Sequence, residues 1–513
     1  MKESHKRVYL VILLGLLAIT LRSIPLLLYG NFFDEQTMTA VLSIRQAIPS
    51  GHPVADALAY PPAFFAERGQ VWLGLAGFWI FGEVAGGLLG SLHLMQILCT
   101  VAAGATVFFF AERLQKGAGP PAMLLYAVSA IGLYNFAINH WKGEDFCVTA
   151  LLLSLLLLAI TFDERRLSRK AASISGSLLA LAFAVLVWNG GLFAAVVYAA
   201  AILSLQLPQS RISIIMLFIA AMGGFIALPY LHLPLDTSNS SALLASSMPH
   251  IATAALHFLT ETQINLFQGN RFWTSSPLYI PELLSGFMLF TFPLFFYRAR
   301  LSRSMMVLLA FLACALPFIL VSQSWAVLGY LPICCIAAPS SARLLRPALL
   351  TIVIISYVIL TVMQLIVPFT ILLTPLHRPY LDAVEWINAS TPPGAIFLTW
   401  PSYCLPIEYY AGRRCVIDTN IADSPSAIAN LSSFLLTQEG NLSYLARMPR
   451  GSYLLISTLW YTNATPAAWI GASPDPARTT LAALEAGRPV SGGDLRLLPV
   501  YDGNTVIIYR IID

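Results

Sequence analysis

Apolar runs of about 20 residues recur along most of this chain, and a helix of that length crosses the hydrocarbon of a bilayer. They fall at roughly residues 8–29, 90–111, 120–138, 146–162, 172–188, 190–206, 212–231, 279–297, 304–321, 326–342 and 348–373. The segment 70–88 is also apolar but holds several glycines and Glu83. It reads as an interfacial or partly embedded helix, or as one more span. Only 11% of the residues are charged, where a soluble chain carries about a quarter. The mean hydropathy is +0.74. The expected class is a polytopic α-helical membrane protein with about 11–13 transmembrane helices. A net charge of +4 and the lack of a long basic block argue against nucleic acid as a partner. The first run follows "MKESHKR" and ends without a small-residue cleavage site, so it reads as a retained helix.

Eleven spans sort the loops by charge. The N-terminus, "ERLQKGAG", "DERRLSRK", "PQSR", "RARLSRS" and "RLLR" together hold fifteen Lys and Arg. The opposite loops, up to residue 374, hold four: Arg45, Arg68, Lys142 and Arg271. The excess of basic residues places the first set in the cytoplasm. The opposite loops therefore face outward, and so does everything after the eleventh span. Two domains are expected, a transmembrane domain over 1–374 and an extracytoplasmic soluble α/β domain over 375–513. In the second, "GAIFLTW", "RCVIDTN", "GSYLLIST" and "NTVIIYRI" read as buried strands between helices. Among seven cysteines no Cys-x-x-Cys metal spacing occurs. Cys404 and Cys415 lie in the polar C-terminal region and can pair as a disulfide if it is outside the cytoplasm. An outer loop from 232 to 278 is 47 residues long, a length uncommon unless the loop moves or works.

Acids stand where these outer loops meet the membrane: "NFFDEQ", "KGED" and "LTETQ". Each is either a solvated loop charge or a functional group, and ionisable residues at such depths tend to be functional. Carboxylates gathered from separate loops repel unless a cation neutralises them, and Mg²⁺ or Mn²⁺ prefers such oxygens. A metal held there can neutralise a phosphate leaving group. Spacing alone does not establish that the three loops meet.

Two stretches carry a family resemblance. "FFDEQTMTAVLSIRQ...ALAYPPAFF" resembles the first outer loop of the C-type glycosyltransferase superfamily, as in protein mannosyltransferases and lipid A aminoarabinose transferases. "VEWINASTPPGAIFLTWPSYCLPIEYYAGRRCVIDTN" resembles the catalytic subunit of oligosaccharyltransferases, with its helix, turn, strand, Trp-Trp-Asp-Tyr-Gly motif and later acid. The resemblance implies that the first-loop acid, a metal ligand and acceptor-orienting group, is Asp34. The second acid of the second-loop acid-x-acid motif maps onto Asp145, while the first falls on Gly143 unless Glu144 substitutes. The mobile-loop glutamate maps onto Glu261. "WPSYC" departs from the family: Trp400 and Tyr403 match, whereas Pro401, Ser402 and Cys404 replace Trp, Asp and Gly. That change bears on acceptor reading and leaves the metal site alone.

The implied activity is a glycosyltransferase on the extracytoplasmic face, moving a sugar or glycan from a polyprenyl-phosphate-type carrier to a protein, lipid or glycan acceptor. Asp34, Asp145 and Glu261 would be the catalytic carboxylates, and with Glu144 they would hold the divalent cation (Mg²⁺ or Mn²⁺). Glu35, Lys142, Trp400, Ser402 and Tyr403 would contact substrate. Other readings stay open for some of these: Glu35 either helps the site or caps the next helix, Lys142 either meets phosphate or snorkels, and His140 is either a ligand or packing. An alternative keeps the chemistry but moves a single sugar to a lipid or polysaccharide. A transporter or flippase would show two related halves and charges within spans. The sequence has no internal repeat, and Arg22 is almost alone as an intramembrane charge.

Overall fold

The computed structural model of the chain describes residues 2–29, 40–42, 44, 67–128, 138, 141–188, 191–203, 302–321, 328–337, 378–399, 401–416, 425–437, 441–457, 479–503 and 506–512. The chain separates into two compact units, Met1–Leu365 and Ile366–Asp513.

The first unit is helical. Its described elements are α1 (Lys2–Tyr29), α2 (Glu67–Phe81), α3 (Leu88–Leu114), α4 (Gly119–Val128), α5 (Gly143–Asp163), α6 (Leu167–Val187), α7 (Gly191–Leu203), α8 (Arg303–Val321) and α9 (Leu328–Ala337). Among the described residues α3, α5 and α6 are long and apolar enough to cross a membrane. With the shorter apolar helices they make the chain an integral membrane protein. The expected spans over 212–231, 279–297 and 348–373 lie outside the described residues. The apolar segment 70–88 becomes α2 and a glycine-containing turn into α3.

The α5–α6 hairpin turns at the basic stretch "ERR", residues 164–166. The two helices differ in exposure: 72% of the most apolar window of α5 is buried, against 17% for α6. Leu178, Leu179 and Leu186 of α6 are exposed, an apolar face suited to lipid. Inside, three hydroxyls tie α5, α6 and α7 together. Ser154 Oγ donates to Tyr198 Oη at 3.0 Å, Ser177 Oγ donates to the Ser154 carbonyl at 2.9 Å, and the Ser177 and Tyr198 hydroxyls are 2.7 Å apart. Small polar residues suit such contacts, because lipid offers their hydroxyls no other partner.

The second unit is a six-stranded mixed sheet with helices. Its elements are α10 (Arg378–Ser390), β1 (Ile396–Leu398), α11 (Pro401–Pro406), a π-turn (Ile407–Ala411), β2 (Arg414–Cys415), α12 (Pro425–Leu435), β3 (Tyr453–Ser457), α13 (Thr480–Glu485), β4 (Val490–Gly492), β5 (Leu495–Asp502) and β6 (Val506–Ile512). The strand order is β2-β1-β3-β6-β5-β4. β1 is parallel to both β2 and β3, and the remaining pairs are antiparallel. β3 is buried along its whole length, as an apolar strand covered on both faces should be. The four stretches read as strands each contain one. β4 and β5 were not anticipated, and Pro499 explains the second: proline demotes a strand reading, yet here it adjoins a register shift between Pro499 and Tyr501.

α10 is amphipathic and turns Ala383, Val384 and Ile387 into the core. Its C-terminal carbonyls would be orphaned on burial, and Arg413 satisfies them. The buried guanidinium donates through Nη2 to the carbonyls of Asn388 (3.0 Å) and Thr391 (2.8 Å). Nε reaches Thr391 Oγ1 at 3.1 Å and Nη1 the Ala411 carbonyl at 2.7 Å. One side chain thus joins the end of α10 to the π-turn. Arg413→Ala is expected to cost about 2–4 kcal/mol locally, because buried carbonyls lose charged donors. Hydrogen exchange in the purified full-length protein would show it as faster exchange across 384–391; unchanged exchange there would refute the role.

Candidate functional site

The "KGED" stretch opens α5. Lys142 is the extended N-cap residue, and Glu144 and Asp145 occupy the first turn, where the positive end of the helix favours carboxylates. Trp141 fixes the entry to this turn. Its Nε1 donates to the Gln70 carbonyl at 3.3 Å, Gln70 Nε2 donates back to the Trp141 carbonyl, and its ring meets Phe146 edge-on at 5.1 Å. Gly143 has no room for a side chain: a Cβ there would lie 2.4 Å from the backbone oxygen of Val187 in α6. The resemblance puts the first acid of the pair at this position. The close approach of α6 excludes it, and Glu144 is the acid that remains.

Asp145 is fully buried. Its Oδ2 accepts a 2.6 Å hydrogen bond from Gln96 Nε2 of α3, and Thr149 Oγ1 donates to its backbone carbonyl at 2.7 Å. Its Oδ1 has no hydrogen-bond partner among the described residues. Lys142 and Arg22 attract this carboxylate, and Glu144 repels it. Glu144 is itself 8% exposed.

Arg22, buried in α1, is held by Tyr126 of α4 and Tyr330 of α9. Its guanidinium stacks 3.9 Å from the centre of the Tyr126 ring and donates to the Tyr126 carbonyl at 3.0 Å. Nη2 also approaches the Tyr330 hydroxyl at 3.4 Å, and Tyr330 Oη donates to the same Tyr126 carbonyl. Tyr126 Oη in turn donates to the Thr100 carbonyl at 2.9 Å. Arg22, Tyr126 and Tyr330 thereby form one polar group of α1, α4 and α9, bonded to the backbone of α3, and Asp145 with Gln96 forms another between α5 and α3. Gln96 was missed in the sequence; the only signal for it is an amide inside the run "LHLMQILCT".

The other candidates divide by location. Asp34, Glu35, Glu261, His140 and Trp400 lie outside the described residues. Ser402 stands in the first turn of α11, and Tyr403 is 4% exposed within the core of the C-terminal unit. No group of three or more metal-ligating side chains occurs among the described residues. The donor chemistry of Asp145 nonetheless suits a hard divalent cation: one oxygen is held by an amide, and the other lacks a donor there.

No family model matches the chain, and no curated protein matches it in sequence. Solved structures do match. AglB, an oligosaccharyltransferase from Archaeoglobus fulgidus in complex with an inhibitory peptide and a dolichol-phosphate, has a TM-score of 0.57 at 13% identity, over 94% of this chain and 72% of that one. An Archaeoglobus fulgidus oligosaccharyltransferase complexed with Zn and sulfate gives 0.51 at 13% identity, over 98% and 72%. ArnT from Cupriavidus metallidurans bound to undecaprenyl phosphate gives 0.53 at 12% identity, over 98% and 97%. Both kinds of protein have the C-type glycosyltransferase fold, and this chain shares it.

Gln96→Leu removes the donor to Asp145 without leaving a large cavity. It is expected to destabilise the helical unit by about 1–3 kcal/mol. Pairing it with Asp145→Leu should recover part of that loss, since no buried carboxylate then remains. Thermal unfolding of the purified protein in detergent would check this; equal stability of Gln96→Leu and the unmodified protein would contradict the contact.

Proposed function

On the premise of a C-type glycosyltransferase fold, we propose that the protein is a membrane glycosyltransferase working on the extracytoplasmic face. It moves a sugar or glycan from a polyprenyl-phosphate-type carrier to a protein, lipid or glycan acceptor. The observation that carries this reading is Asp145, buried at the mouth of α5 with one oxygen held by Gln96 and the other without a partner among the described residues. The names of the matched structures point the same way, since one contains a dolichol-phosphate and another undecaprenyl phosphate.

Asp34 orients the acceptor nucleophile and takes its proton as the bond to the anomeric carbon forms. The carbon–oxygen bond to the carrier phosphate breaks in the same displacement, and the phosphate leaves with the electron pair. Asp34, Asp145 and Glu261, together with Glu144, would hold the divalent cation. When bound, Mg²⁺ or Mn²⁺ offsets negative charge on the leaving phosphate. The match to a solved complex with Zn and sulfate is consistent with a divalent ion. Lys142 adds positive charge toward the donor phosphate, and Glu35 supports the first-loop acid. Trp400, Ser402 and Tyr403 belong to the acceptor side. The basic-residue asymmetry supports the outward location of this face and of residues 375–513.

A second reading, single-sugar transfer to a lipid or polysaccharide, is favoured by two observations. Ser402 replaces the acid of the oligosaccharyltransferase motif, and the chain covers 97% of ArnT but 72% of the archaeal oligosaccharyltransferases. Without the acid, the hydrogen bond to an acceptor hydroxyl is lost, a difference of about 1–3 kcal/mol.

The test is transfer by membranes containing the full-length protein, with polyprenyl-phosphate sugars as donors and product read by mass spectrometry. Asp34→Asn and Asp145→Asn should each lower transfer at least about a hundredfold while leaving the protein folded. A chelator should stop transfer, and Mg²⁺ or Mn²⁺ should restore it. Full activity of either variant would reject the carboxylate site, and full activity in chelator would reject the cation. Strong discrimination against a sequon peptide lacking its hydroxyl residue would reject the second reading.

A further inference from the structure

β6 reads "VIIYRII", an apolar strand with one charge in it. That charge, Arg510, pairs across the sheet with Tyr453 of β3 and Leu498 of β5, and it is exposed while Tyr509 and Ile511 on either side are buried. It lines a cleft of about 780 Å³, together with Arg450, Asn441, Ser443 and Asp494. Small-molecule sites usually enclose about 300–1,000 Å³. Backbone contacts fix the walls. On one side Asn441 Oδ1 accepts from the Ser443 amide at 3.3 Å and its hydroxyl at 2.7 Å, and Leu442 and Leu445 anchor the segment in the core. The same segment is tied to β6 where the Ile511 amide donates to the Ser452 carbonyl at 2.9 Å. On the other side is the tight turn between β4 and β5, with Gly492 paired to Leu495 and Gly493 at a left-handed φ of 63°.

The lining selects among ligands. Guanidinium groups such as those of Arg450 and Arg510 bind carboxylate or phosphate through paired N–H donors. The Asp494 carboxylate accepts hydrogen bonds from hydroxyls and repels further negative charge. Ser443 and Asn441 offer hydroxyl and amide groups, while Leu445, Leu495 and Ile512 give an apolar part. A phosphate dianion would engage the arginines, meet the Asp494 carboxylate and leave the apolar part unused. A neutral sugar would leave the arginines unused. We propose that the cleft binds an acidic sugar, a pyranose whose carboxylate meets Arg450 and Arg510. Its hydroxyls meet Asp494 and Ser443, and its C–H face lies on the apolar part. The site is made of residues of the C-terminal unit alone, so its occupancy does not depend on transfer at the carboxylates of the helical unit.

The experiment is a ligand-observed NMR titration of methyl glucuronide against the purified full-length protein in detergent, with methyl glucoside and inorganic phosphate as comparison probes. The expected result is saturable binding of the glucuronide, at least about tenfold weaker binding of the glucoside, and no displacement by equimolar phosphate. Arg450→Gln and Arg510→Gln should each weaken glucuronide binding at least about tenfold, because each removes a charged donor. Arg496→Gln, at an exposed arginine of β5 outside the cleft lining, should bind it as the unmodified protein does. Thermal unfolding checks that each variant is folded. Arg450 stands in a turn outside the sheet, so its variant tests the site even where Arg510→Gln disturbs β6. No saturable binding, equal affinity for the glucoside, displacement by phosphate, or unchanged affinity in folded Arg450→Gln would overturn the proposal.

Discussion

A carboxylate inside an apolar helix bundle must be neutralised or hydrogen-bonded, and the helical unit is arranged around that requirement at Asp145. An ion of this kind with no compensation would not stay charged in such surroundings. Gln96 supplies one donor, the start of α5 supplies a positive helix end, and Arg22 and Lys142 supply charge. Arg22 is itself costly to bury, and Tyr126 and Tyr330 offset that cost with an aromatic face and hydrogen-bond acceptors. Each of these two buried charges is thus met by polar partners from other helices, Asp145 by Gln96 and Arg22 by Tyr126 and Tyr330. Such clusters are expensive in a membrane protein, and function is the usual reason to keep one.

Much of this could be read from residues alone. The apolar runs announce helices because a bilayer demands a fixed length of apolar sequence. The four alternating stretches of the C-terminal region announce strands for a similar reason, since each side chain must choose a face. "KGED" stands out because adjacent acids are conspicuous in so apolar a chain. Gln96 does not, because a single amide in an apolar run carries no periodic signal. Gly143 also needed coordinates: only the approach of the Val187 carbonyl explains why an acid cannot stand there. Arg413 is one of two adjacent arginines, and its role as the cap of α10 depends on the π-turn that precedes it.

The two units place different limits on function. In the helical unit, the start of α5 presents a buried carboxylate with one oxygen held by Gln96 and the other without a partner among the described residues. In the C-terminal unit, a segment that resembles an acceptor-reading motif has lost its acid, and Tyr403 is buried in the core.

The central claim is that Asp145 is a ligand of a divalent cation. Its most direct test is Mn²⁺ binding to the purified full-length protein, followed by electron paramagnetic resonance, with Asp145→Asn measured beside it. The account predicts one bound Mn²⁺ per chain and at least about a tenfold loss of affinity in the variant. Equal Mn²⁺ affinity in the two proteins, both shown to be folded, would contradict it.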